Sequence, residues 1–253
     1  MATTAMQVPG TPQASDNSFA RIFGVFFSPK ETFDSIARRP TWLAPVVLSC
    51  LVALGMFYVY GRRVGWQRAV ERNIATNPIT ARQMDQLSAD QRQASIAMQT
   101  KIFPYAFYAG AIVGPFLGSL ILAAIFLALF KLGYGATVEL KPSMGVVAYA
   151  FVPRILKSLI GILVIYLKDP SQVDIQNFLA SNPGALMSTD SARWLIVLAT
   201  QFDFFTIWVM ILLAIGYHAL SPKKVSVASA LAGIVGLWLA YVMVVVGFTA
   251  AMS

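Results

Sequence analysis

The run VSVASALAGIVGLWLAYVMVVVGFTAAM, residues 225–252, contains no Asp, Glu, Lys, Arg or His. A hydrocarbon core about 30 Å thick is crossed by roughly 20 apolar residues in a helix, so this stretch is long enough to span a bilayer. Four more runs pass the same test: 42–60, 103–130, 146–167 and 194–220. Lipid offers nothing to an unpaired backbone N–H or C=O, which leaves the helix as the form of each run. A membrane β-barrel needs segments of about ten residues with alternating polarity, and these runs do not alternate. The expected fold class is therefore all-α, an integral membrane five-helix bundle.

Composition agrees. Of 253 residues, 57% are hydrophobic and 12% charged, with a mean hydropathy of +0.67; a soluble domain carries about 25% charged residues. A net charge of +8 would suggest nucleic acid in a soluble protein. Here nearly all the Lys and Arg lie between the apolar runs, where each meets lipid head groups with about 1 kcal/mol of attraction. Membrane lipids are the expected partners, not nucleic acid. Cys50 is the only cysteine, so no disulfide forms within the chain, and it reads as a small apolar residue. One His and one Cys leave no set for zinc or for Cys–His catalysis. No H-E-x-x-H, nucleophile elbow or phosphate loop occurs. An intramembrane aspartyl protease would need two mid-span Asp residues, and the runs contain only Asp203. No catalytic residue, metal site or cofactor is expected.

Residues 1–18 lack Lys, Arg and an apolar core. They do not read as a secretory signal; they read as disordered, with the membrane domain occupying 19–253 and inserting through its own spans. Phe19, Ile22, Phe23 and Phe26 follow i, i+3, i+4, i+7 spacing, one apolar face of a short helix. Ser28-Pro29-Lys30-Glu31 has the capping-box pattern with Pro at the first helical position, Phe33 and Ile36 give that helix its apolar face, and Arg38, Arg39 and Pro40 end it. This short amphipathic N-terminal segment either lies on the membrane surface or packs against the bundle. The hydrophilic stretch 61–101 has capping-box signals at Thr80–Gln83 and Ser88–Gln91, the second leading toward the second span. With few large apolar residues it is a helical linker, not an independent domain. In the 168–193 connector, Asp169, Asp174 and Asp190 are too scattered for a calcium loop.

Counting Lys and Arg does not orient the chain. Arg21, Lys30, Arg38, Arg39, Lys131, Lys141, Lys223 and Lys224 fall on one side, while nine lie on the other, seven of them within 61–101. The short loops of the first side are the denser in Lys.

Ionisable groups inside a span are the default functional candidates. The third run carries Arg154 and Lys157 one turn apart, and the fourth carries Asp203. If these spans are antiparallel neighbours, Lys157 and Asp203 differ in depth by only about 5 Å at 1.5 Å per residue. Asp203 is expected to pair with Lys157 or Arg154, either to lock two helices together or to relay a proton or ion. A relay needs further polar steps, and only Gln201, Thr206 and Ser158 lie nearby, which favours the lock. Pro153 should kink the third span. His218, near a span end, reads as interfacial. Gly110, Gly114 and Gly118 form a small-xxx-small ridge expected to let a neighbouring helix approach closely within the monomer, with a homodimer face as the alternative.

Several short motifs carry a resemblance. Phe27-Ser28-Pro29-Lys30-Glu31-Thr32-Phe33 followed by Pro40-Thr41-Trp42, then Tyr149-Ala150-Phe151-Val152-Pro153, then Asp203-Phe204-Phe205-Thr206-Ile207-Trp208 leading to Gly216, and finally Lys223-Lys224-Val225-Ser226 with Ala228, resemble in order and spacing the bacterial branch of the Yip (Ypt-interacting protein) domain family. The resemblance covers about 19–250. It implies five spans with the N-terminus in the cytoplasm, here of a bacterial cytoplasmic membrane. Eukaryotic members are linked to vesicle traffic and Rab-type small GTPases, but the long acidic N-terminus common in them is missing here. A bacterial origin would remove the small GTPase as a partner. The resulting expectation is a membrane-organising or partner-binding scaffold without enzymatic activity, its protein partners being copies of itself or other membrane proteins. The alternative is a small transporter or channel using Arg154, Lys157 and Asp203.

Overall fold

The computed structural model describes residues 17–173, 178–188 and 191–252. Within them the chain forms eleven α-helices and no strand: α1 (Ser18–Phe27), α2 (Pro29–Arg38), α3 (Leu43–Arg63), α4 (Trp66–Thr76), α5 (Pro78–Asp85), α6 (Ala89–Ala128), α7 (Leu140–Ala150), α8 (Val152–Leu167), α9 (Arg193–Gln201), α10 (Phe204–Leu220) and α11 (Val227–Met252). Four units are long and apolar enough to cross a membrane: α3, α6 with its continuation to Gly133, the α7–α8 pair and α11. The α9–α10 pair makes five when taken as one span bent by 43°. The protein is thus an all-α bundle of four to five candidate spans. Much of α11 turns outward, with Tyr241, Met243, Val244 and Phe248 exposed. Such continuous apolar surface marks a face made for lipid.

The breaks have local causes. Pro153 has no N–H to give, and the helix is interrupted two residues before it; there Arg154 N bonds Phe151 O at 2.9 Å, one residue closer than in an α-helix. The bend in the fourth span falls at Asp203, whose Oδ1 accepts Phe205 N at 3.0 Å and Thr206 N at 3.3 Å and so starts α10 as a new helix. At the end of α6 a π-helical turn, Leu129–Gly133, leads to Gly135, whose φ of 62° suits glycine. The turn seats Phe130 on Tyr217, ring centroids 4.3 Å apart.

The open choice for the N-terminal segment resolves in favour of packing. Phe33 and Ile36 of α2 are both fully buried, wedged between α7 and α10. The socket exists because two facing positions are glycine: a Cβ on Gly216 would stand 3.0 Å from the Phe33 ring, and one on Gly145 would stand 3.0 Å from the Ile36 side chain. Phe26 meets Trp208 edge-on at 5.5 Å. Trp208 lies about 12 Å along α10 from Gly216, so the α1–α2 hairpin runs down the side of α10 with its Ser28 turn toward the middle of the bundle. Phe19, Phe23 and Phe27 line its outer face and stay exposed.

Ser28 does not form the expected capping box; its side chain caps nothing. It serves instead as the joint between the helices, its N–H closing α1 on Gly24 O at 2.8 Å and its carbonyl accepting Thr32 Oγ1 at 2.8 Å. The Thr80 start is also corrected, because Asn77 is the cap: its Oδ1 accepts Ile79 N and Thr80 N, with Pro78 at the first position. Ser88 and Gln91 do form the reciprocal box, and α6 runs unbroken from there into the second span. α4, α5 and the first turns of α6 share a small core of Val70, Ile74 and Met84. Helix α1 begins at Ser18, one residue before the expected edge, capped by Asn17; residues 1–16, read as disordered from sequence, lie outside the described residues, as do Asp174, Asp190 and Ser253.

Candidate functional site

The structure places Lys157 of α8 against Asp203, Nζ to Oδ2 2.7 Å, with the carboxylate buried and the ammonium partly so. Oδ2 also accepts the hydroxyl of Ser181, while Oδ1 is taken by the two amides at the start of α10. A carboxylate offers about four acceptor positions, and all of them are occupied. Phe204 N then bonds Ser181 O at 2.9 Å, tying the connector to the same point. The rings of Phe178 and Phe205 each lie 5.9 Å from the ammonium.

Arg154 does not join this pair. Its Cζ lies over the Phe151 ring at 5.1 Å, and no hydrogen bond from its guanidinium to another described residue is formed. Of the three candidate charges, the fold brings two together and leaves the third facing a gap between helices. The glycine ridge faces that gap too. A Cβ on Gly110, Gly114 or Gly118 would meet nothing within 4 Å, so the expected close approach within the monomer is not made there. The ridge borders cavities instead: Gly114 and Gly118 line one of about 350 Å³ between α3, α6 and α8, and Gly110 lines another, while α3 and α6 touch beside it, Cys50 Sγ lying 3.3 Å from Ile112 O. His218 closes the turn into α11, its Nδ1 2.7 Å from Val225 O.

A more elaborate polar knot was missed from sequence. Arg21 is buried between α1 and α2. It donates to Ser35 Oγ at 2.8 and 3.0 Å, Ser35 O at 3.2 Å, Arg39 O at 3.0 Å and Thr41 Oγ1 at 3.0 Å. Tyr149 OH reaches Thr41 Oγ1 and Ser18 O, each at 3.3 Å, carrying the knot onto α7. The only signal in the sequence is a lone cation in an otherwise apolar helix. Deeper in the core, Ser143 Oγ donates to Ala123 O at 2.8 Å and sits 2.5 Å from Tyr217 OH, joining α6, α7 and α10. Outside the bundle, the Ser171 hydroxyl and amide hold the Asp169 carboxyl below the usual carboxylate range.

What the arrangement offers chemically is cohesion: each buried polar group found so far ends on another part of the bundle. No curated protein and no solved structure matches the chain. The family model described as Yip1 domain matches residues 23–248, which takes in the hairpin from Phe23 on, the Lys157–Asp203 lock and the candidate spans as far as Phe248 of the last. The chain belongs to the Yip1 domain family.

Proposed function

We propose that this protein is a membrane scaffold without enzymatic activity, which organises lipid or membrane-embedded partner proteins. In this reading it sits in a bacterial cytoplasmic membrane with its N-terminus on the cytoplasmic side and has no small GTPase as a partner. The observation that carries the reading is the saturation of Asp203 by Lys157, Ser181 and two helix-start amides. A relay carboxylate must take up and release its proton against a moving partner. Asp203 is instead held from four directions, three of them within its own connector and helix. That supports a fastener between spans three and four, and it weighs against ion conduction through these residues.

The test is Asp203→Asn with two measurements. In proteoliposomes, the wild-type protein should pass no more protons or ions than protein-free vesicles, and the variant should differ from it only in unfolding temperature. A wild-type flux that the variant abolishes while folding normally would replace the scaffold with a transporter. Orientation is read separately by single cysteines at Gln93 and Lys223 in a Cys50→Ala background. The first should label from outside intact cells and the second only after lysis; the reverse pattern would invert the topology.

A further inference from the structure

Arg154 stands at the junction of two cavities. The smaller, about 350 Å³, lies between α3, α6 and α8 and includes Ser49, Ser119 and Ser158 in its wall. The larger, about 610 Å³, lies between α6, α10 and α11, is walled mainly by apolar side chains and includes Trp238 and Tyr241. Leu122, Phe151 and Arg154 are common to both. The volumes fall within the roughly 300–1,000 Å³ of small-ligand sites. The third span runs from Leu140 to Leu167, so Arg154 is about 20 Å along the axis from either end. At that depth a guanidinium with no hydrogen-bonded partner is costly, and such groups in membrane proteins normally pair or face a cavity. Asp203 accepts no hydrogen bond from it, because its acceptor positions are full, and so the guanidinium donors stay open toward the cavities.

We infer that this two-lobed groove binds an anionic phospholipid, with its phosphate on the Arg154 guanidinium. Three features point to that class. The planar fork of Arg matches a phosphate through two parallel hydrogen bonds. Ser119 and Ser158 line the smaller lobe and can donate to a bound headgroup, whereas Ser49, also in its wall, gives its proton to Pro45 O at 2.8 Å. The larger lobe is apolar and bordered by Ile125, Leu237 and Val244, which are exposed on the flank of the bundle, so an acyl chain enters it from the surrounding lipid. The inference rests on the scaffold reading and specifies what the scaffold holds.

The experiment is retention of lipid by the full-length protein in mild detergent, read by native mass spectrometry after exposure to an equimolar mixture of phosphatidylglycerol and phosphatidylcholine. Wild-type protein should retain phosphatidylglycerol with a preference of about tenfold, and Arg154→Gln should reduce that preference to near unity, with Arg154→Lys in between. Ser119→Leu, which fills the headgroup lobe and leaves the cation in place, should also lower it, and it serves if the Arg154 variants fail to fold. Equal preference in wild type, Arg154→Gln and Ser119→Leu would overturn the proposal. So would displacement by inorganic phosphate at the same concentration, since that would make this an anion site without a lipid. A wild-type flux that depends on Asp203 would sink the scaffold reading but leave the lipid preference untouched. A lost preference with no flux sinks only the lipid site.

Discussion

Two arginines lie among the apolar helices of this protein, and their surroundings are opposite. Arg21 is enclosed where the α1–α2 hairpin meets α7, with its guanidinium distributed over Ser35, Arg39 and Thr41. Arg154 has a ring beneath it and a groove in front. The glycines divide the same way. Gly145 and Gly216 are pressed against the hairpin, whereas Gly110, Gly114 and Gly118 face open space. One side of the bundle is closed and the other is open. Residue type does not distinguish them; the saturation of hydrogen-bonding capacity does. A charged residue at the middle of a spanning helix costs about 2.5–3.5 kcal/mol on insertion scales. Lys157 and Asp203 offset that cost by pairing, Arg21 lies outside the spans in the hairpin, and Arg154 leaves the cost to a ligand.

The sharpest way to break this contrast is on the closed side. Asp203→Ala strands the Lys157 ammonium and uncaps α10, and should cost about 3–5 kcal/mol in unfolding measured in mild detergent. A loss under about 1 kcal/mol would show that Lys157 has another partner and that the lock is not one. Arg21→Met leaves two carbonyls and two hydroxyls without their donor and should cost about 2–4 kcal/mol; an unchanged midpoint would mean that apolar burial alone holds the hairpin. Next come the glycines. Gly216→Ala forces a methyl against Phe33 and Val146 and should cost about 1–3 kcal/mol, while Gly114→Ala, with open space ahead, should gain about 0.5–1 kcal/mol. If both lose stability, the gap is narrower in the membrane than the comparison requires. The smallest effect is expected at Arg154→Gln, within about 0.5 kcal/mol of wild type in lipid-free detergent. A large loss there would place an internal partner on Arg154 and close the open side.

The contrast also explains what was legible in the sequence. The spans could be read because each is a long uncharged or nearly uncharged run, a signal carried by neighbouring residues. Pro153 and Ser88–Gln91 were legible for the same reason, their effects being confined to one turn. Lys157 and Asp203 were candidates from depth alone, but the choice of Lys157 over Arg154 depends on how α8 is rotated, which no run of letters states. The hairpin socket was hidden further: it joins Phe33 to Gly216 and Ile36 to Gly145. The glycine ridge misled because small residues permit close packing without requiring it, and here the three glycines border cavities while α3 and α6 touch at Cys50 and Ile112 instead. Arg21 was treated as a surface cation because its partners are mostly backbone carbonyls and hydroxyls, which leave no charge pattern to find.

The hairpin socket has a consequence for synthesis. Phe33 and Gly216 are roughly 180 residues apart, and chains grow at about 5–20 residues per second. Helices α1 and α2 therefore wait on the order of ten seconds or more for the wall that receives them, with Phe33, Ile36 and the Arg21 guanidinium all unsheltered. A hairpin made early in the chain can take its place only once the fourth span has followed it.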